Sequence, residues 1–174
     1  MPFLIAVIGV AVAAYIFIVR ARNAAQIATE LVDVANDVRL AARRFGFRRK
    51  TNMHPVESID DPNIAIVAIA GAFLELDSLP TQQQRNALIV QSQSVLDLSE
   101  KDATEMLVLG RWMMTECGGA GPAVSRLSRK LYKMRGAEAF EALLSLIDST
   151  LGEAGLNDAH REALEEIKRA FRLR

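Results

Sequence analysis

One cysteine and two histidines are all the thiol and imidazole groups that these 174 residues contain. Cys117 alone cannot close an internal disulfide, and even the simplest structural zinc pair needs two thiols. His54 and His160 lie far apart in the chain, so spacing encodes neither a Cys–His nucleophile pair nor a His-based metal site. A lone thiol near a helix end reads instead as a small apolar residue. Aromatic residues make up only 6% of the chain, and no segment alternates apolar and polar positions as a strand would. A phosphate-cradling glycine loop is missing too. Carboxylates are plentiful but fall at solvent-facing helix positions, whereas acid–base chemistry needs two converging in an apolar pocket. The expectation is a non-catalytic, all-α protein without a cofactor.

Apolar residues are abundant, at 51% of the chain with a mean hydropathy of +0.14, against 24% charged residues. Much of the excess lies in the first twenty positions. Phe3–Val19 reads FLIAVIGVAVAAYIFIV, seventeen residues without a charge. Such a run spans roughly 25 Å as a helix, near the lower limit for the hydrocarbon core. Arg20 and Arg22 follow at once and can snorkel to the headgroups, with Tyr15 and Phe17 towards the same end. A cleavable signal peptide would want a basic residue before the run and small residues after it; Met1-Pro2 and Arg20-Ala21-Arg22 provide neither. Residues 1–22 therefore read as a transmembrane signal anchor. The positive-inside rule puts the N-terminus outside and the rest of the chain in the cytoplasm.

The zero net charge hides two unlike parts. Residues 20–50 hold eight bases against three acids, and the remainder thirteen bases against eighteen acids. Within 23–58, Ile27, Leu31, Val34 and Val38 recur at helical steps and predict an amphipathic juxtamembrane helix. Its end carries Arg43, Arg44, Arg48, Arg49 and Lys50 around Phe45-Gly46-Phe47. With Arg20 and Arg22 these bases are expected at the membrane interface, in contact with anionic lipid. The acidic part shows no basic patch interleaved with aromatics, so nucleic acid is not expected as a partner. Residues 51–61 read as a polar linker.

From 59 to 174 a compact bundle of about six helices is expected. Asp60 or Asp61 with Pro62 caps Ile64–Leu74, which is apolar on every face and too short to cross a bilayer, hence a central buried helix. Thr81-Gln82-Gln83-Gln84 has the pattern of a capping box. Ser99 opens the next helix, with Met106, Leu107, Leu109, Trp112 and Met113 as its apolar stripe, and Gly118–Pro122 breaks it. Three further helices fit about Pro122–Arg135, Ala137–Leu151 and Asp158–Leu173.

This layout resembles the TerB-like (tellurite-resistance B) helical family. The likeness is carried by Glu75-Leu76-Asp77-Ser78-Leu79 after the central helix and by Leu96-Asp97-Leu98-Ser99-Glu100-Lys101-Asp102-Ala103, which is similar to the family's Leu-Gly-Leu-Ser-x-x-x-Ala. Leu143–Ala170 echoes the first unit with a Gly-Leu-Asn-Asp turn. The family's two Asp-Gly turns imply divalent-metal binding. Here Asp77 is kept, but Ser78 replaces the glycine, a neutral Gln83 or Gln84 stands for the acid, and Ala154-Gly155 has lost its aspartate. Hard cations need several oxygens together, so only a degenerate site at Asp77 is implied. Membrane-anchored DnaJ-like co-chaperones share the anchor-plus-bundle layout. His54-Pro55-Val56 lacks the aspartate of their His-Pro-Asp motif, and these 174 residues contain no J-domain.

The resulting expectation is a single-pass, membrane-tethered interaction or scaffold module. By the resemblance it belongs to a bacterial inner membrane, with a stress- or metal-linked sensor as the alternative. Its protein partner would meet a Met-rich surface at Met106, Trp112, Met113 and Met114.

Overall fold

The computed structural model describes residues 36–45, 52–151 and 155–173. The chain divides into two units, Met1–Asp37 and Val38–Arg174. The proposed anchor lies outside the described residues. Among those described, no helix is long and apolar enough to cross a membrane. Arg20, Arg22, Arg48, Arg49 and Lys50 also lie outside them.

The second unit is a bundle of helices, with no strand among the described residues. We label its helices α1 (Pro62–Leu74), α2 (Gln82–Leu96), α3 (Glu100–Glu116), α4 (Ala120–Arg135), α5 (Ala139–Leu151) and α6 (Asp158–Ala170). Four of the starts have a side-chain cap. The Asp61 carboxylate accepts from the Asn63 amide at 2.8 Å, with Pro62 in the first turn where its missing N–H costs nothing. Thr81 and Gln84 form the reciprocal capping box, each accepting from the other's amide at 3.2 and 2.8 Å. Ser99 and Asn157 cap α3 and α6 by accepting from the amides of Asp102 and His160. Between α3 and α4 the chain turns through Gly118 at φ 85° and Gly119 at φ 126°, values that a side chain would strain.

Helix α1 is the hub. Ile64 to Ala70 and Ala72 to Leu74 are all buried, and α2, α3, α4 and α5 pack around them. A helix apolar on every face has no solvent side to offer, so its neighbours must enclose it. The closest approach is to α3. A Cβ on Gly110 would lie 2.8 Å from the Ala68 Cα and 2.9 Å from its Cβ, so the two helices meet through their smallest residues.

The bundle is wider than the sequence reading had it. It reaches back to Val38, across the boundary drawn at residue 59. Ala41, in the helical stretch 38–44, is fully buried, as are Val56 and Ile59. The supposed linker contains a 3-10 turn, Pro55–Ser58, capped by His54. The Val56 amide donates to His54 Nδ1 at 3.3 Å, and His54 Nε2 lies 3.2 Å from the Glu116 carbonyl at the end of α3. Buried Val56 and Ile59, with the hydrogen bonds of His54 and the Glu57 carbonyl, hold this segment on the bundle.

His160 is buried at the start of α6 and lies against Phe73, ring centroids 4.9 Å apart. Neither of its ring nitrogens meets a hydrogen-bonding side chain or carbonyl among the described residues.

Candidate functional site

The methionine stripe of α3 does not form a partner surface. Met106, Met113 and Met114 are core residues, Met113 wholly so, and Trp112 is half-buried against that core. Helical periodicity finds an apolar stripe but does not say whether another helix covers it. Here α1 does, because α1 needs enclosure on every side.

Asp77 is exposed in the turn after α1. The Gln84 carbonyl oxygen, its implied companion, is committed to the Thr81 amide at 2.8 Å. Asp158 pairs with Arg161 at 2.5 Å, Glu162 lies exposed on α6, and Glu153 is outside the described residues. Among the described residues, no three acids, imidazoles or thiols gather where they could hold a metal.

The described bases of the arm divide. Arg43 is exposed. Arg44 turns to the bundle, its guanidinium 2.8 Å from Asp102 and 3.5 Å from Glu105 near the start of α3. Acids in the first turn of a helix already favour its dipole, and Arg44 adds a partly exposed ion pair of order 0.5–1 kcal/mol. This arginine fastens the segment to the bundle.

Cys117 ends α3 half-buried, its amide donating to the carbonyl of Met113 at 2.9 Å. Burial pushes the thiol above its ordinary value, Arg126 draws it down and Glu116 raises it further.

The most distinctive cluster was not apparent from charge averages. Helix α4 has five bases, Arg126, Arg129, Lys130, Lys133 and Arg135, and no acid. Its buried residues are Ala123, Val124, Leu127, Ser128 and Leu131, so the bases take the remaining faces. Among the described residues, two carboxylates form ion pairs with them. Glu57 on the 3-10 turn lies 3.7 Å from Arg126 and 4.0 Å from Lys133, and its carbonyl accepts from Lys130 at 2.9 Å. Glu166 on α6 lies 3.8 Å from Arg129 and 3.1 Å from Arg169, and accepts from Ser125 at 2.8 Å. At the end of α6, Arg172 adds a further base, 5.2 Å above the Tyr132 ring. Arg129, Lys133, Arg169 and Arg172 line an open hollow of about 590 Å³ between α4 and α6. The acidic average of residues 51–174 concealed this basic face because the acids lie outside α4, several of them on α6 itself.

No family model, curated protein or solved structure matches this chain.

Proposed function

We propose that this protein is a single-pass, membrane-tethered helical module, non-catalytic, that offers a cytoplasmic TerB-like bundle to a protein partner. The observation that carries this reading is the charge-free run Phe3–Val19 followed directly by Arg20 and Arg22. The bundle supports it with a cleft between α5 and α6 where Leu144 and Leu156 stay exposed beside Leu164. Side chains of this kind receive the apolar face of a partner's amphipathic helix.

Two measurements test the reading. After alkaline carbonate extraction the chain should remain with the membrane, and protease added from the cytoplasmic side should digest the bundle. Release into the soluble fraction would refute the tether. For the partner, a photo-crosslinking residue at Leu144 should capture one specific protein in native membranes, while the same residue at the buried Met113 should not. Failure of the Leu144 position to yield any specific adduct would refute the interaction role.

A further inference from the structure

We infer that the basic face of α4 and the end of α6 binds the anionic headgroups of a bilayer, so that the bundle has a lipid-contacting surface of its own. The inference rests on the tether reading for its bilayer, but its geometry is independent of the anchor and of the arm. Six bases, Arg126, Arg129, Lys130, Lys133, Arg169 and Arg172, outnumber the carboxylates described beside them: Glu57, Glu166 and, within the field of Arg169, Glu165. The first two acids join them into one surface, since Glu57 gathers Arg126, Lys130 and Lys133 while Glu166 gathers Arg129 and Arg169. The hollow then links Arg129 and Lys133 with Arg169 and Arg172.

Such an excess, in a chain of zero net charge, is held together against its own repulsion. An anionic surface relieves that repulsion. The side chains of Arg129, Lys133 and Arg169 are 58%, 70% and 69% exposed, long enough to reach phosphates without rearranging the helices.

The chemistry favours lipid over the other polyanions. Binding single-stranded nucleic acid calls for aromatic faces on which bases can stack. Tyr132, the one aromatic lining the hollow, has the Arg172 guanidinium over its ring and Phe171 edge-on at 5.8 Å. An acidic peptide would want apolar pockets between the charges, and Ala170 is the only aliphatic side chain in the lining. What remains is a broad, shallow array of point charges, which suits a field of headgroups.

The test uses the full chain reconstituted into vesicles of phosphatidylcholine alone, or with about one third phosphatidylglycerol. Lysine acylation is then followed site by site. Lys133 should react roughly fivefold or more slowly on the anionic vesicles, taking each base near such a surface to contribute about that factor. High salt should abolish the difference. Exposed Lys101 on α3 should react equally on both vesicles. The double variant Arg129→Ala/Arg169→Ala should lose most of the Lys133 protection. Arg129→Lys/Arg169→Lys should keep it, because a bilayer reads charge rather than the guanidinium fork. The lysine variant and the salt series decide the matter if the alanine variant misfolds.

Equal Lys133 rates on both vesicles, with the chain inserted in both, overturn the inference. So does protection of Lys133 by duplex nucleic acid with no effect of vesicle charge. If the chain fails to insert, the tether reading falls and flotation judges the face alone. Co-flotation with anionic but not neutral vesicles upholds it, and flotation with neither overturns it.

Discussion

Asp97 ends α2 in the left-handed region, at φ 53° and ψ 49°, and the Leu98 amide closes back on the Gln93 carbonyl at 3.2 Å. This is the geometry of a glycine helix cap occupied by a residue with a Cβ. Aspartate tolerates it better than most, but glycine has no penalty there. Asp97→Gly should therefore raise stability by about 0.5–1 kcal/mol in chemical denaturation. Cys117 offers a second test. Because burial raises its thiol, alkylation at neutral pH should be slower than for a free cysteine and should accelerate as pH climbs past the ordinary 9.0. The sign for stability follows. Below 9.0 the thiol is protonated whether the chain is folded or not, and its contribution is fully present. At higher pH the unfolded chain gives up its proton first, and that contribution is lost. A thiol that alkylates as fast as a free one at neutral pH would contradict this account.

At the scale of elements, two glycines separate close packing from mere proximity. A Cβ at Gly110 would strike the backbone of Ala68 at 2.8 Å, where only movement of a whole helix gives room. At Gly71 it would meet the far end of Leu107 at 3.0 Å, which a rotamer change relieves. Gly110→Ala should cost about 1–3 kcal/mol in spite of its helix-propensity gain of about 1 kcal/mol. Gly71→Ala should be close to neutral or slightly stabilising. Equal thermal shifts for the two would show that α1 and α3 are not as tightly apposed as described. This is also where the sequence was most legible. The all-round apolar character of Ile64–Leu74 identified the central helix, and Thr81 with Gln84 marked the next start down to the hydrogen bonds. Periodicity was silent on whether the stripe of Met106 and Met113 faced water or α1, since both arrangements share one spacing. Residues 55–59 read as a linker because polar and turn-forming neighbours outnumber Val56 and Ile59.

Over the whole molecule, charge was the property least legible from sequence. The basic face is assembled from α4, the end of α6 and a turn more than a hundred residues before that end, and no window along the chain contains all three. Glu57 links them. Its carboxylate lies near Arg126 and Lys133, and its carbonyl near Lys130. Glu57→Gln would keep the shape and the backbone carbonyl while removing the negative charge. The expected outcome is a loss of at most about 1 kcal/mol, since both ion pairs are long and partly exposed. Protection of Lys133 on anionic vesicles should rise in the same variant, and unchanged protection would argue against a face governed by net charge.

If the basic face seats on lipid, Glu57 has two opposed physical effects. Its charge steadies the turn against α4 and at the same time weakens the pull of the face towards a charged surface. Variation at this one position could adjust residence on the surface without touching either helix.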